Sequence, residues 1–255
     1  MRIELLELTE QPGLWIAPDP TSTTIATPSF TVVTSGTQGS VERVRLGDAS
    51  PATALAKARA IGRSHGLEAM TWWIGELTTP ARLGTQLREL GLVPDAEMPT
   101  LTSLTIGHRP HGTPTAEVRR VTTFEDYLRA LAIDWAVWDV PAALRAERRA
   151  NAQTHWKLLQ ADGRTGHHLA LMDSRPVGFG RVVFAPGAGI LMGGATLPEA
   201  RGRGVYTALV HARFDEAVER GTPRLAVSAG ALSAPILERL GFEPIGLVER
   251  LTDRL

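Results

Sequence analysis

At positions 193–206 the sequence reads Gly-Gly-Ala-Thr-Leu-Pro-Glu-Ala-Arg-Gly-Arg-Gly-Val-Tyr, and a long helical pattern follows. An apolar strand is predicted over 189–196, a basic glycine loop over 201–204 and a helix from position 205 to about 220. A glycine loop between a strand and a helix directs backbone N–H groups and the positive end of the helix dipole to one place. The stretch therefore predicts a site for a phosphate or pyrophosphate group.

Four residues of the loop favour an anion as the ligand. Gly202 and Gly204 have no side chains, so the backbone can approach an anion closely, and Arg201 and Arg203 add positive charge. The loop lacks the Gly-x-Gly-x-x-Gly spacing of dinucleotide sites and the Gly-Lys-Ser/Thr of P-loops. A surface turn with solvated arginines is the simpler alternative, and the flanking strand and helix favour the anion site.

The composition bounds the class of protein. The chain has 255 residues, 43% hydrophobic and 21% charged, which suits one large or two small globular domains. Basic and acidic residues each number 27, so we expect no nucleic acid and no membrane surface as partner. The absence of cysteine excludes disulfides, thiolate metal sites and a cysteine nucleophile, and no metal is expected. Acids near the first residue and the lack of a long apolar run predict a cytoplasmic protein.

Two runs of strands and helices flank a turn-rich stretch. Positions 107–114 read Gly-His-Arg-Pro-His-Gly-Thr-Pro and predict a linker. Before it the pattern predicts a helix or strand over 5–8, a loop over 18–28 and a strand hairpin over 30–46. It then predicts helices over 48–63 and 80–90 and strands over 70–74 and 101–106. After it the pattern predicts strands over 118–121, 168–172, 177–184, 189–196, 224–227 and 243–248, and helices over 124–131, 141–160, 205–220 and 233–240.

The two runs share a sequence pattern. Leu-Arg-Glu-Leu-Gly-Leu-Val-Pro at 87–94 matches Leu-Glu-Arg-Leu-Gly-Phe-Glu-Pro at 237–244. In each copy a strand precedes a helix that glycine ends. The pattern and the common order of elements favour a duplicated domain.

The second run resembles the Gcn5-related N-acetyltransferase (GNAT) family. The acetyl-CoA motif of that family, Arg/Gln-x-x-Gly-x-Gly/Ala, falls on Arg201, Gly204 and Tyr206, and residues 198–199 precede it as Pro-Glu. A later Leu-Gly-Phe triplet of the family is matched at 240–242. The resemblance covers roughly residues 115–250 and is weaker, in outline alone, before them.

The resemblance implies a fold and a domain division. We expect an α/β protein of two tandem acyl-CoA N-acyltransferase-like domains, each with a central mixed sheet flanked by helices. Residues 1–107 would form a degenerate GNAT-like domain, 108–114 the linker and 115–255 the acetyl-CoA-binding domain. The first domain has Asp-Ala-Ser-Pro at 48–51 where the glycine loop belongs, so we expect it to bind no cofactor.

The resemblance also implies acetyl-CoA as co-substrate. The sheet would splay open between strands 189–196 and 224–227, and the pantetheine arm would hydrogen-bond the backbone of Ala195, Thr196 and Leu197. The pyrophosphate would lie on the loop and the start of the helix, with cofactor-binding residues Arg201, Gly202, Arg203, Gly204, Val205 and Tyr206.

Three positions depart from the family pattern. Tyr206 replaces a small residue, and we expect its ring to turn into the core. Leu237 stands where many members carry a tyrosine that protonates the leaving thiolate, and strand 189–195 lacks the glutamate that often serves as base. The binding residues of the motif are thus present, whereas the catalytic residues are not evident.

Five residues are candidates for the missing roles. His155 is a candidate base and Ser233 a candidate thiolate donor, although a helix cap is the simpler role for Ser233. Trp135, Trp138 and Asp139 are candidates for the acceptor pocket, with core packing as the alternative for the tryptophans. Adjacent His167 and His168 point to opposite faces of a strand and are expected to be structural or solvent-exposed.

The sequence therefore predicts an N-acetyltransferase that moves the acetyl group of acetyl-CoA to a primary amine of a small molecule by direct attack. The alternative is a catalytically inactive acyl-CoA-binding protein with a sensor or structural role, which the missing catalytic residues would explain. The degenerate half is a candidate surface for a homodimer or a lid.

Overall fold

The computed structural model describes residues 1–16 and 22–255. The strands are β1 (Thr24–Ala26), β2 (Thr31–Ser35), β3 (Gln38–Glu42), β4 (Ala69–Ile74), β5 (Val93–Pro94), β6 (Thr100–Ile106), β7 (Glu117–Arg120), β8 (Thr165–Met172), β9 (Arg175–Ala185), β10 (Ala188–Thr196), β11 (Leu225–Ala229) and β12 (Glu243–Arg254). The helices are α1 (Arg2–Glu10), α2 (Pro51–Ser64), α3 (Leu83–Glu89), α4 (Phe124–Val137), α5 (Ala142–Asp162), α6 (Val205–Glu219) and α7 (Ala234–Arg239). No helix in these ranges is long and apolar enough to span a membrane.

The chain divides into two compact units. Unit 1 comprises Met1–Leu104, Val227–Glu238 and Glu243–Leu255, and unit 2 comprises Thr105–Ala226 and Arg239–Phe242. This division differs from the predicted sequential one, because most of the chain after position 226 belongs to unit 1. The division into a domain over 1–107, a linker over 108–114 and a domain over 115–255 stays a prediction.

Unit 1 contains a mixed sheet in the order β1-β2-β3-β4-β12. β3 and β4 run parallel, whereas the other neighbours in this order are antiparallel. The core lies between the sheet and α2 and α3, and includes Phe30 and Trp72, whose ring centroids are 5.8 Å apart. α2 begins at Pro51, within the predicted helix 48–63, because Ser50 Oγ accepts a hydrogen bond from the Thr53 N–H and Pro51 follows at the first helical position.

The last strand is longer than the sequence predicts. β12 extends to Arg254 and pairs with β4 from Glu249–Ile74 to Arg254–Ala69, whereas the apolar pattern predicts an end at 248. Its second half alternates buried and polar residues, and the buried Asp253 forms an ion pair with Arg59 at 2.7 Å. A second difference is β1, which lies inside the predicted loop 18–28. Positions 18–21 of that loop lie outside the described residues.

Unit 2 contains the strands β7, β8, β9 and β10 and the first two residues of β11, in that spatial order. β7 to β10 are antiparallel neighbours and β10 runs parallel to β11, so this sheet is also mixed. α6 packs on one face of the sheet, because a Cβ atom on Gly178 or Gly180 would meet its side chains. α4 packs on the opposite face, where its Tyr127 contacts His167 and His167 stacks on Phe179.

The two copies of the repeated pattern have the same local geometry. α3 and α7 both end just before a glycine in the left-handed region, and Gly91 and Gly241 each have a φ of 98°. A strand follows each glycine, at β5 and at β12. The shared backbone at these two ends agrees with the predicted duplication.

Candidate functional site

The edge of β10 is the first component of the site. β10 pairs with β11 at two positions, Gly189–Leu225 and Ile190–Ala226, whereas its pairing with β9 continues to Thr196. The ladder to β11 therefore ends at Ile190. A β-bulge follows at once, between Leu191 and Gly194, with Gly193 at a φ of 89°.

The predicted pantetheine segment occupies the end of β10. The Leu197 N–H donates to the Val177 carbonyl at 2.9 Å, so this amide is already used by the neighbouring segment. Since peptide groups in a strand alternate between its edges, those of Thr196 face the free edge. There the Thr196 carbonyl accepts from Arg201 Nε at 3.3 Å, and the buried Thr196 Oγ1 has no partner among the described residues. Ala195 is buried.

The glycine loop has the backbone shape that the sequence predicts. Gly202 and Gly204 lie in the left-handed region with φ values of 71° and 75°. A Cβ atom on Gly204 would overlap Thr115 Oγ1, which donates to the Arg203 carbonyl at 2.7 Å. Both conformation and space therefore require glycine at position 204. Arg201, Gly202 and Arg203 are exposed.

α6 starts without a side-chain cap. Its N-cap residue is Gly204, and the first intrahelical bond runs from the Ala208 N–H to the Gly204 carbonyl at 2.9 Å. The amides of Val205, Tyr206 and Thr207 thus have no acceptor within the helix and can bind an anion. α2 differs, because Ser50 and Pro51 satisfy or remove the corresponding amides at its own start.

Tyr206 turns its ring inward, as the sequence predicts. The ring atom Cε2 lies 3.3 Å from the position that a Cβ atom on Gly194 would take. The guanidinium carbon of Arg213 lies 5.9 Å from the ring centroid. The loop and the helix start therefore remain clear of this side chain.

The two candidate catalytic residues lie in different units. His155 in unit 2 is half-buried, and its Nδ1 lies 2.9 Å from the hydroxyl oxygen of the buried Tyr127. Ser233 belongs to unit 1, and its Oγ donates to the Gly230 carbonyl at 3.3 Å within its own turn. The predicted cofactor residues all belong to unit 2.

The three predicted pocket residues do not share one environment. Trp135 is buried in the core of unit 2, whereas 61% of the surface of Trp138 is exposed. Asp139 is exposed, has a φ of 45° and lies 3.6 Å from an Arg145 nitrogen. Trp138 and Asp139 can therefore meet a ligand, and Trp135 packs.

His167 and His168 are both buried. Burial and the charge of Arg181 lower the pKa of His167 to about 3. Burial and nearby arginines, Arg213 first, lower the pKa of His168 to about 3, although its Nε2 lies 3.3 Å from Glu216. Both rings are neutral near pH 7, so the structural role is the one the burial supports. The described residues contain no cluster of three or more histidines and acids that could hold a metal.

Sequence reasoning missed two arginines beside the bulge. Arg181 Nε donates to the Met192 carbonyl at 2.7 Å, and Arg213 Nη1 donates to the Gly193 carbonyl at 3.3 Å. Burial lowers the pKa of both guanidinium groups, and the charge of Asp134 opposes this at Arg181. A signal was present in Gly178-Phe-Gly, because alternate glycines leave room on one face of a strand.

Comparisons with known proteins agree with this geometry. Residues 125–242 match the model of the Acetyltransferase (GNAT) family. The fold resembles a GCN5-related N-acetyltransferase from Kribbella flavida, with a TM-score of 0.68 and 16% identity over 97% of this chain and 94% of that one. It also resembles a tandem GNAT protein from the clavulanic acid biosynthesis pathway, with a TM-score of 0.66 and 14% identity over 96% of this chain and 87% of that one.

A third similar structure is a GCN5-related N-acetyltransferase from Sphaerobacter thermophilus, with a TM-score of 0.60 and 16% identity over 89% of this chain and 80% of that one. No curated protein sequence matches the chain significantly. The predicted fold class, α/β with a mixed sheet flanked by helices, is confirmed, and the family match indicates acetyl-CoA-dependent acyl transfer. Residues 125–242 thus match the Acetyltransferase (GNAT) family model, within a fold that resembles those of solved GNAT proteins over nearly the whole chain.

Proposed function

We propose that the protein transfers the acetyl group of acetyl-CoA to a primary amine of a small molecule by direct attack. One observation carries the proposal. Within the described residues the edge of β10 has no strand partner after Ile190, and it leads through two left-handed glycines into the uncapped start of α6. In a GNAT-family domain this combination suits an acyl-CoA thioester.

The residues present fit such a ligand. The peptide groups of Thr196 face the free edge, and the unpartnered Thr196 Oγ1 offers a further hydrogen bond to the pantetheine arm. The amides at the start of α6 and the loop glycines would hold the pyrophosphate, with Arg201 and Arg203 beside it. Thr115 supports this loop through the Arg203 carbonyl.

The chemistry requires an unprotonated amine close to an activated acyl group. Acetyl-CoA, when bound, would supply that group as a thioester. We assign His155 as the proton acceptor, because the contact with Tyr127 orients its ring. Ser233 already donates to Gly230, so we assign it to the turn before α7. Trp138 and Asp139 are exposed and would contact the amine.

Calorimetry with acetyl-CoA tests the cofactor assignment. Wild type should bind, and Gly204→Glu should not, because the new carboxylate places negative charge and bulk where the pyrophosphate lies. Gly221→Glu is the matched control, since Gly221 also has a positive φ, of 72°, but lies beyond the far end of α6. No binding by wild type, or equal binding by wild type and Gly204→Glu, would refute the assignment.

Thiol release from acetyl-CoA across a panel of small amines tests the reaction. Saturable, amine-dependent release identifies an enzyme, whereas binding without release by any amine would leave the inactive acyl-CoA-binding alternative. The family match does not favour that alternative. A degenerate first half, a homodimer through it and a cytoplasmic location stay predictions.

A further inference from the structure

We propose that Arg213 is a positioning residue that orients the Gly194 N–H toward the thioester carbonyl, with Arg181 holding the adjacent peptide. The proposal rests on the proposed function of the β10 edge. It assigns a role to two cations that the family motif does not include, the buried Arg213 and the half-buried Arg181.

The two arginines hold consecutive carbonyls of the bulge from opposite faces of the sheet. Arg213 comes from α6 and donates to Gly193, whereas Arg181 donates to Met192 and lies on the face of α4, near Asp134. The bulge would otherwise be free to rotate, because Gly193 has no Cβ atom and a φ of 89°. Two guanidinium groups therefore fix two successive peptide planes.

The direction of the Gly194 amide follows from peptide geometry. In a trans peptide the C=O and N–H groups point in opposite directions. Arg213 Nη1 donates both to the Gly193 carbonyl and to the Arg181 carbonyl of β9, so the Gly193 carbonyl lies on the β9 side and the Gly194 N–H points to the other edge of β10. Gly194 pairs with Gly180, two residues before Thr196 in the same register, so its N–H faces the free edge of β10. This amide lies just beyond the point where the ladder to β11 ends.

The surroundings of Arg213 are built to accept a buried charge. Only 1% of its surface is exposed, and carbonyl oxygens of Leu209, Arg181 and Gly193 accept its hydrogen bonds. Nη2 has no partner among the described residues. A Cβ atom on Gly180 would lie 3.1 Å from the guanidinium carbon, so a side chain there would press on the guanidinium group and displace it slightly.

A buried charge of this kind lowers the stability of the fold, so a functional role would explain its presence. Removing a cation from water costs free energy, and here the groups that compensate it within the described part of the chain are carbonyl oxygens and the side chain of Tyr206. A fixed positive charge beneath the bulge would stabilise the negative charge that builds on a carbonyl oxygen during acyl transfer. An apolar side chain of similar length would satisfy packing alone.

Arg213→Met separates positioning from structural support. We expect its thermal midpoint to equal or exceed that of wild type, its Kd for acetyl-CoA to change less than about threefold, and its kcat to fall roughly 100-fold. The infrared carbonyl band of bound acetyl-CoA labelled with ¹³C at the carbonyl should lie at lower frequency in wild type than in the variant. Arg220→Met is the matched control, because Arg220 also lies at α6 and donates to a carbonyl, that of Gly163, at 2.9 Å.

Each result decides between the two roles. A wild-type kcat and an unchanged carbonyl band in Arg213→Met would overturn the proposal, as would a loss of activity that only follows a lower midpoint. If Arg213→Met does not fold, Gly180→Ala keeps the charge but displaces the guanidinium, and a carbonyl band identical to that of wild type would then overturn it. Failure of wild type to bind acetyl-CoA would refute the proposed function itself. If wild type binds acetyl-CoA but its carbonyl band lies at the same frequency as in Arg213→Met, only the role of Arg213 is refuted.

Discussion

Replacing Gly204 by alanine should destabilise the protein by about 2–3 kcal/mol. The φ of 75° at this position costs a residue with a Cβ atom roughly 1–2 kcal/mol. The Cβ atom would also overlap Thr115 Oγ1, so the hydroxyl must release the Arg203 carbonyl, which costs about 1 kcal/mol. For a chain of this size the loss lowers the midpoint of thermal unfolding by roughly 4–12 °C.

A double-mutant cycle with Thr115→Ala measures the steric component by urea unfolding. Thr115→Ala alone loses the hydrogen bond, about 1 kcal/mol, and the two single losses sum to roughly 3–4 kcal/mol. In the double variant that bond is lost once and the overlap is gone, so the total should be about 1 kcal/mol smaller than the sum. Additive losses would refute the assigned contact.

Gly221→Ala is the matched control for backbone strain. Gly221 has a φ of 72°, and no atom lies within 4 Å of its Cβ position. The variant should lose roughly 1–2 kcal/mol and bind acetyl-CoA as wild type does. Equal stability losses in Gly204→Ala and Gly221→Ala would contradict a role for Thr115.

Two pH dependences follow from buried groups. Burial raises the pKa of Glu42 to about 7 from 4.5, so the folded state binds the proton more tightly and the free energy of unfolding falls as pH rises from 4.5 to 7. In urea unfolding, the free energy of unfolding of Glu42→Gln should therefore rise by about 3 kcal/mol relative to that of wild type between pH 4.5 and pH 8. Parallel curves of unfolding free energy against pH for the two proteins would contradict this. Burial lowers the pKa of His167 to about 3 from 6.5, so the unfolded state binds the proton more tightly and stability falls as pH drops below 6.5. His167→Phe should reduce that slope by about 1.4 kcal/mol per pH unit, whereas an unchanged slope would mean that His167 is not neutral in the folded state.

Local chemistry explains what could be predicted from the sequence. The caps Ser50 and Thr123 each accept a hydrogen bond from the amide three residues later, at Thr53 and Asp126, as serine and threonine typically do at a helix N-terminus. The shape of the 201–204 loop follows from its glycines, because few other residues adopt a positive φ. These features depend on neighbours within one turn, so a single sequence suffices to find them.

Contacts between distant segments explain what could not. Arg213 and Gly193 lie twenty positions apart, and Thr115 and Arg203 lie 88 apart, so no local pattern pairs them. The separation of Trp135 into the core and Trp138 onto the surface likewise follows from how α4 packs, although both residues have the same side chain.

The sequence by itself determined the glycine loop, the helix that follows it and the resemblance to the family, because these depend on backbone preferences and on motif spacing. The tertiary structure alone decided that β12 completes the sheet of unit 1, that Thr115 requires glycine at 204 and that Arg181 and Arg213 hold the bulge. The physical reason is that burial and hydrogen-bond partners are set when distant strands come together, and periodicity along the chain does not record which strands these are.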